Sequence, residues 1–112
     1  DNPKALVEGH RLQLALYALA AEQALQLGPV SDGFYWFAHK ARSSSWSLAE
    51  FEDPVTGAVG PPAAIELAQS HAATAVAGAR RGEFTPQPPD LGCPDYCSAA
   101  AFCWHFRPKF TG

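Results

Sequence analysis

Only two stretches of this chain read as β-strands, and they are neighbours. "GFYWFAHK" (33–40) and "SWSLAEFE" (45–52) are rich in aromatic residues, and Trp46, Leu48 and Glu50 alternate with Ser47, Ala49 and Phe51. The polar run "KARSSS" (40–45) between them has the length of a hairpin connection. A two-stranded hairpin is marginal by itself in water. It must pack on helices or complete a sheet begun elsewhere, and that requirement governs the rest of the reading.

Helices flank the hairpin on both sides. Residues 4–27, "KALVEGHRLQLALYALAAEQALQL", are dominated by alanine and leucine, strong helix formers, and predict one long helix. Pro3 suits its first turn, and Gly28-Pro29 supplies a stop. Leu6, His10, Gln13, Tyr17 and Ala20 would share one face, with Leu12, Leu16 and Leu19 as a second apolar stripe. After the turn chemistry of "EDPVTG" (52–57), a second helix is expected from Pro61-Pro62 to Arg80-Arg81, with Gly82 as the residue that ends it. Its apolar stripe would be Ile65, Ala68, Ala72, Val76 and Ala79. "EFTPQPPDLG" (83–92) is expected to be extended, and "SAAAFCWHF" (98–106) to form two short helical turns. The fold class is therefore α+β: long helix, β-hairpin, second helix, cysteine-rich loop and short C-terminal helix.

The balance of residues suits one small domain. There are 112 residues with 47% hydrophobic and 17% charged side chains, a globular and not a disordered composition. A net charge of -3 argues against a surface that is basic throughout. A local groove remains open, because Arg80, Arg81, Arg107 and Lys109 all fall in the second half. No apolar run reaches the ~18 residues that a membrane helix needs. No signal-peptide pattern opens the chain, so the expected setting is the reducing cytoplasm. Methionine is absent and the sequence opens at Asp1, which reads as a processed chain or a piece of a longer one.

All three cysteines lie in "GCPDYCSAAAFCWHF" (92–106), spaced Cys-x3-Cys-x5-Cys, with His105 two residues after Cys103. In a reducing compartment metal roles outrank disulfides. Three readings stand side by side. Cys93, Cys97 and Cys103 hold an iron–sulfur cluster whose fourth thiolate comes from outside. Alternatively they bind Zn2+ with His105 as the fourth ligand, although one intervening residue is tight for two ligands on a helix. Or they are unligated, small and apolar. In the first helix, Gln13 and Tyr17 stand four apart in "LQLALY" and place an amide and a phenol on one face. They either serve a site or form a buried pair that satisfies itself.

The ordered set "LQLALYALAAE" (12–22) and "GEFTPQPPDLGCPDYCSAAAFC" (82–103) resembles the C-terminal part of RecB-family nucleases of the PD-(D/E)XK superfamily, in the iron–sulfur, AddB-like branch. Gln13 and Tyr17 match that family's Gln-x3-Tyr helix. Gly82, Phe84, Pro86 and Pro88 match its "G-x-F-x-P-x-P" segment, and Cys93, Cys97 and Cys103 its cysteine triplet. The family's usual triplet is Cys-x2-Cys-x5-Cys, so the first gap here is one residue longer. The resemblance implies a metal-dependent DNA exonuclease of recombination and repair. Gln13 and Tyr17 would flank its active site. A [4Fe–4S] cluster would be completed by an upstream cysteine. Mg2+ or Mn2+ would sit in the parent active site, and DNA, the rest of the parent chain and a helicase subunit would be the partners.

The family's catalytic strand carries an acidic residue, any residue, then lysine; its carboxylates hold the divalent metal and the lysine positions the attacking water. The three lysines here, Lys4, Lys40 and Lys109, are preceded two positions earlier by Asn2, Ala38 and Arg107, so the motif is not in this chain. Residues 1–112 are accordingly expected to be a partial domain that does not cut DNA alone, while its parent does. Two other functions remain: a Cys3His zinc module for interactions, and a nuclease-fold domain without activity.

Overall fold

The computed structural model describes residues 3–87 and 92–104. Their order is α1 (Pro3–Val7), α2 (Gln13–Gln23), β1 (Trp36–Phe37), β2 (Arg42–Ser43), a 3-10 turn (Leu48–Glu50) and α3 (Pro61–Arg80). Helices with one small antiparallel sheet make this an α+β chain, as expected. It divides into two compact units, residues 1–77 and 78–112.

The expected single helix over 4–27 is two helices with a corner between them. Gly9 is the cause. It adopts φ +79°, a conformation that costs glycine little and other residues more. Gly9 N–H donates to Leu6 O (3.0 Å) and His10 N–H to Ala5 O (2.9 Å). This pairing of the last carbonyls around a left-handed glycine is a Schellman stop. His10 therefore sits in the corner and not one turn below Gln13 on a shared helix. The second helix follows its sequence pattern to the end: Gly82 (φ +75°) donates to Ala79 O at 3.0 Å and Glu83 N–H to Gly78 O at 2.9 Å, the same stop again.

The hairpin is shorter than its sequence suggests. β1 and β2 pair Trp36 with Ser43 and Phe37 with Arg42. Ser44 extends the pairing, its N–H donating to Tyr35 O (2.7 Å) and its hydroxyl accepting from Tyr35 N–H (3.2 Å). The chain reverses over Ala38–Ala41 and not over 40–45. Most of 45–52 is not strand, because Leu48–Glu50 coils into a 3-10 turn capped from a distance. Leu48 N–H donates to Gly33 O (2.8 Å), and Ala49 N–H to Asp32 Oδ1 (2.9 Å). "EDPVTG" is a turn as expected, with Gly57 N–H donating to Asp53 O at 2.8 Å.

Asp32 yields a pH prediction. The Ala49 N–H is the main reason that its carboxyl lies below the ordinary 3.8; desolvation opposes this, and the Gly33 N–H and the Ser47 hydroxyl add to the lowering. A folded value below the unfolded one means that the stabilisation is complete above the unfolded value and lost as pH falls through the folded value. Acid titration of wild type should therefore show a loss of stability below pH ~4 that Asp32→Asn lacks. Because the carboxylate is exposed to water, the Asn variant should cost at most about 1 kcal/mol at pH 7. Equal acid sensitivity in the two proteins would remove this role.

The core of the first unit joins Leu6 of α1, Ala15 and Ala18 of α2, Leu48 and Phe51 after the hairpin, and Ala63, Ala64, Ile65 and Ala68 of α3. Trp46 meets Phe51 edge-on, with ring centroids 6.3 Å apart. The stripe expected along α3 is buried only in its first half. Ile65 and Ala68 are covered, whereas Val76 is 52% exposed.

Candidate functional site

α2 starts directly after the corner, with Gln13 as its first residue and Tyr17 one turn later. Ala15 and Ala18 face the core, which leaves Gln13 and Tyr17 on the opposite side. Both are exposed, Tyr17 by 67%. They are not a buried pair that satisfies itself. An amide and a phenol presented side by side to solvent are groups available to something outside the described residues.

Gln13 also lines an open depression of about 310 Å³ with His10, Arg11, Leu12 and Tyr35. The corner brings His10 back beside Gln13 by a different route from the one its spacing implied. His10 Nε2 lies 3.9 Å from Glu8 Oε2, a weak exposed contact that is ionic only when the imidazole is protonated. Imidazole, guanidinium, amide and phenol can all donate hydrogen bonds, so most of the residues that line the depression are polar. Sequence reasoning missed Arg11 and Tyr35. Tyr35 belongs to the hairpin stretch, and no local pattern connects it with α2.

Arg80 ends α3 and is exposed, whereas Arg81 is committed to Glu83, with Nε to Oε1 at 2.9 Å and Nη2 to Oε2 at 3.0 Å. That two-pronged contact raises the pKa of Arg81 and lowers that of Glu83. A phosphate reaching Arg81 must compete with this partner. Arg107, Lys109, His105 and Pro88 lie outside the described residues.

In the second unit the cysteine segment is a string of tight turns. Cys97 N–H donates to Pro94 O (3.1 Å), Ala100 N–H to Cys97 O (3.1 Å) and Cys103 N–H to Ala99 O (2.9 Å). Ser98–Phe102 are turns where short helix was expected. Cys93 is buried, Cys97 and Cys103 are half-buried, and none is in a disulfide. Three thiols are the right donors for an iron–sulfur cluster or for zinc. Among the described residues, no three His, Cys, Asp or Glu side chains gather into a metal-holding group. Also among the described residues, no helix is long and apolar enough to cross a membrane.

No curated protein and no solved structure matches the chain. The family model for the PD-(D/E)XK nuclease superfamily matches residues 1–104, a span that takes in the Gln13–Tyr17 face, both helix stops and the whole cysteine triplet. The chain belongs to the PD-(D/E)XK nuclease superfamily.

Proposed function

We propose that this chain is the C-terminal segment of a RecB-like, metal-dependent DNA exonuclease domain that acts in recombination and repair, in the iron–sulfur, AddB-like branch. The observation that carries the reading is the exposed Gln13–Tyr17 pair on a helix whose other face is buried, within a chain matched to the superfamily along nearly its whole length. Catalytic carboxylates and lysine come from a strand upstream, and their Mg2+ or Mn2+ stabilises the developing charge on the phosphate. Gln13 and Tyr17 flank that centre. Cys93, Cys97 and Cys103 contribute three ligands to a [4Fe–4S] cluster, with the fourth cysteine upstream. The cluster's benefit is mainly to folding, since metal binding at such sites is linked to folding free energy. DNA is the substrate, and the rest of the parent chain and a helicase subunit are the protein partners.

The test uses the full-length protein purified anaerobically. Mg2+-dependent loss of DNA ends, abolished by EDTA, together with about four irons per chain, is the expected result. Cys93→Ser should remove the iron and lower the melting temperature. Zinc in place of iron would favour the Cys3His module, with His105 as ligand. A folded, metal-loaded protein that leaves DNA intact would favour the inactive nuclease-fold domain.

A further inference from the structure

His71, half-buried on α3, reaches across to the corner between α1 and α2. Its Nε2 lies 2.9 Å from Val7 O, a contact between residues 64 apart in sequence. A carbonyl oxygen can only accept, so Nε2 carries the hydrogen. Val7 is the last residue of α1. The three carbonyls before it are taken within the corner, Lys4 O by Glu8, Ala5 O by His10 and Leu6 O by Gly9. The fourth end carbonyl is the one His71 serves. The other ring nitrogen is held as closely: a Cβ on Gly9 would stand 2.8 Å from His71 Nδ1. The left-handed glycine and the imidazole fit against each other, and only a residue without a Cβ leaves room for the ring.

Three residues, His10 to Leu12, separate this fit from Gln13. Whatever fixes the corner fixes the direction in which α2 leaves it, and hence where Gln13 and Tyr17 point. We infer that His71 is a positioning residue for the Gln13–Tyr17 face: its hydrogen bond to Val7 O, with Gly9 against its ring, sets the angle of α2 and holds those two side chains at the reacting centre. This rests on the nuclease reading above. His71 touches no substrate and acts only through the corner.

The test compares full-length wild type with His71→Ala, His71→Gln, Gly9→Ala and the double variant. Single-turnover cleavage by His71→Ala should be about tenfold or more slower at saturating DNA, as expected when reacting groups are slightly misplaced. DNA affinity should stay within about twofold, because the lost interaction is not a binding contact. Glutamine places an amide N–H where Nε2 was and should recover most of the rate. Gly9→Ala should slow wild type and add less in the His71→Ala background, where the ring it strikes is gone. Amide hydrogen exchange over residues 13–17 should quicken in His71→Ala. Wild-type cleavage by His71→Ala, or no recovery with glutamine, overturns the positioning role. If wild type itself does not cleave, the nuclease reading fails, and exchange alone decides: unchanged protection over 13–17 overturns the corner's hold on α2, and faster exchange supports it.

Discussion

Replacing Phe51 with alanine is expected to destabilise the first unit by about 3–5 kcal/mol. Phe51 and Leu48 are the largest fully buried side chains among the described residues, and both are 0% exposed. Losing the ring removes its transfer free energy and leaves a cavity that the neighbours cannot readily fill. Five of the nine buried residues of its cluster are alanines, and an alanine has no side chain to swing into a void. Stability of roughly 0.1 kcal/mol per residue makes such a loss a large part of what a unit this size possesses. Phe51→Leu keeps most of the volume and should cost about 1 kcal/mol. Val55→Ala, at a side chain 90% exposed, should stay within about 0.5 kcal/mol. Chemical denaturation gives all three midpoints. Phe51→Ala as mild as Val55→Ala would mean that the core is centred elsewhere.

The second large effect concerns activity. In the full-length protein, Gln13→Ala should lower the cleavage rate about 100-fold, the usual penalty for losing a group that orients reacting atoms. Tyr17→Phe, which keeps the ring and removes the hydroxyl, tells whether the phenol donates a hydrogen bond or only packs. Both side chains are exposed, so neither variant should shift the melting temperature by more than a degree or two. Loss of rate at constant stability is the pattern of a functional face. Unchanged rates for both variants would remove Gln13 and Tyr17 from the site.

Parts of this molecule were legible in the sequence because their causes are local. Pro61 and Gly82 bracket α3, and each acts on its own backbone. Gln13 and Tyr17 share a face because a helix turn spans four residues. The break at Gly9 was not legible in the same way. A glycine inside an alanine–leucine run costs only about 1 kcal/mol, so periodicity tolerates it. What turns it into a corner includes the imidazole of His71, far along the chain. The second strand was lost for a similar reason: alternation over 46–51 is real, but Asp32 and Gly33 satisfy the first N–H groups of a 3-10 turn instead. Arg11 and Tyr35 meet beside Gln13 only once the corner exists. The cysteine spacing is visible in the sequence, whereas the string of tight turns that carries the three thiols is set by backbone hydrogen bonds that spacing does not reveal.

Ala15, Ala18, Ala63, Ala64 and Ala68 make up more than half of the first unit's core. Alanine has no χ torsion, so this part of the interior has one arrangement and loses almost no rotamer entropy on folding. It can also vary in one direction only. A substitution there almost always adds atoms, and in a close-packed interior added atoms force side chains and backbone to shift. The cluster is thus guarded against overfilling, while the risk of cavities falls on its larger members, Leu6, Leu48, Phe51 and Ile65. Sequence drift in this unit should therefore spare the alanines as strictly as the large residues, for the opposite reason.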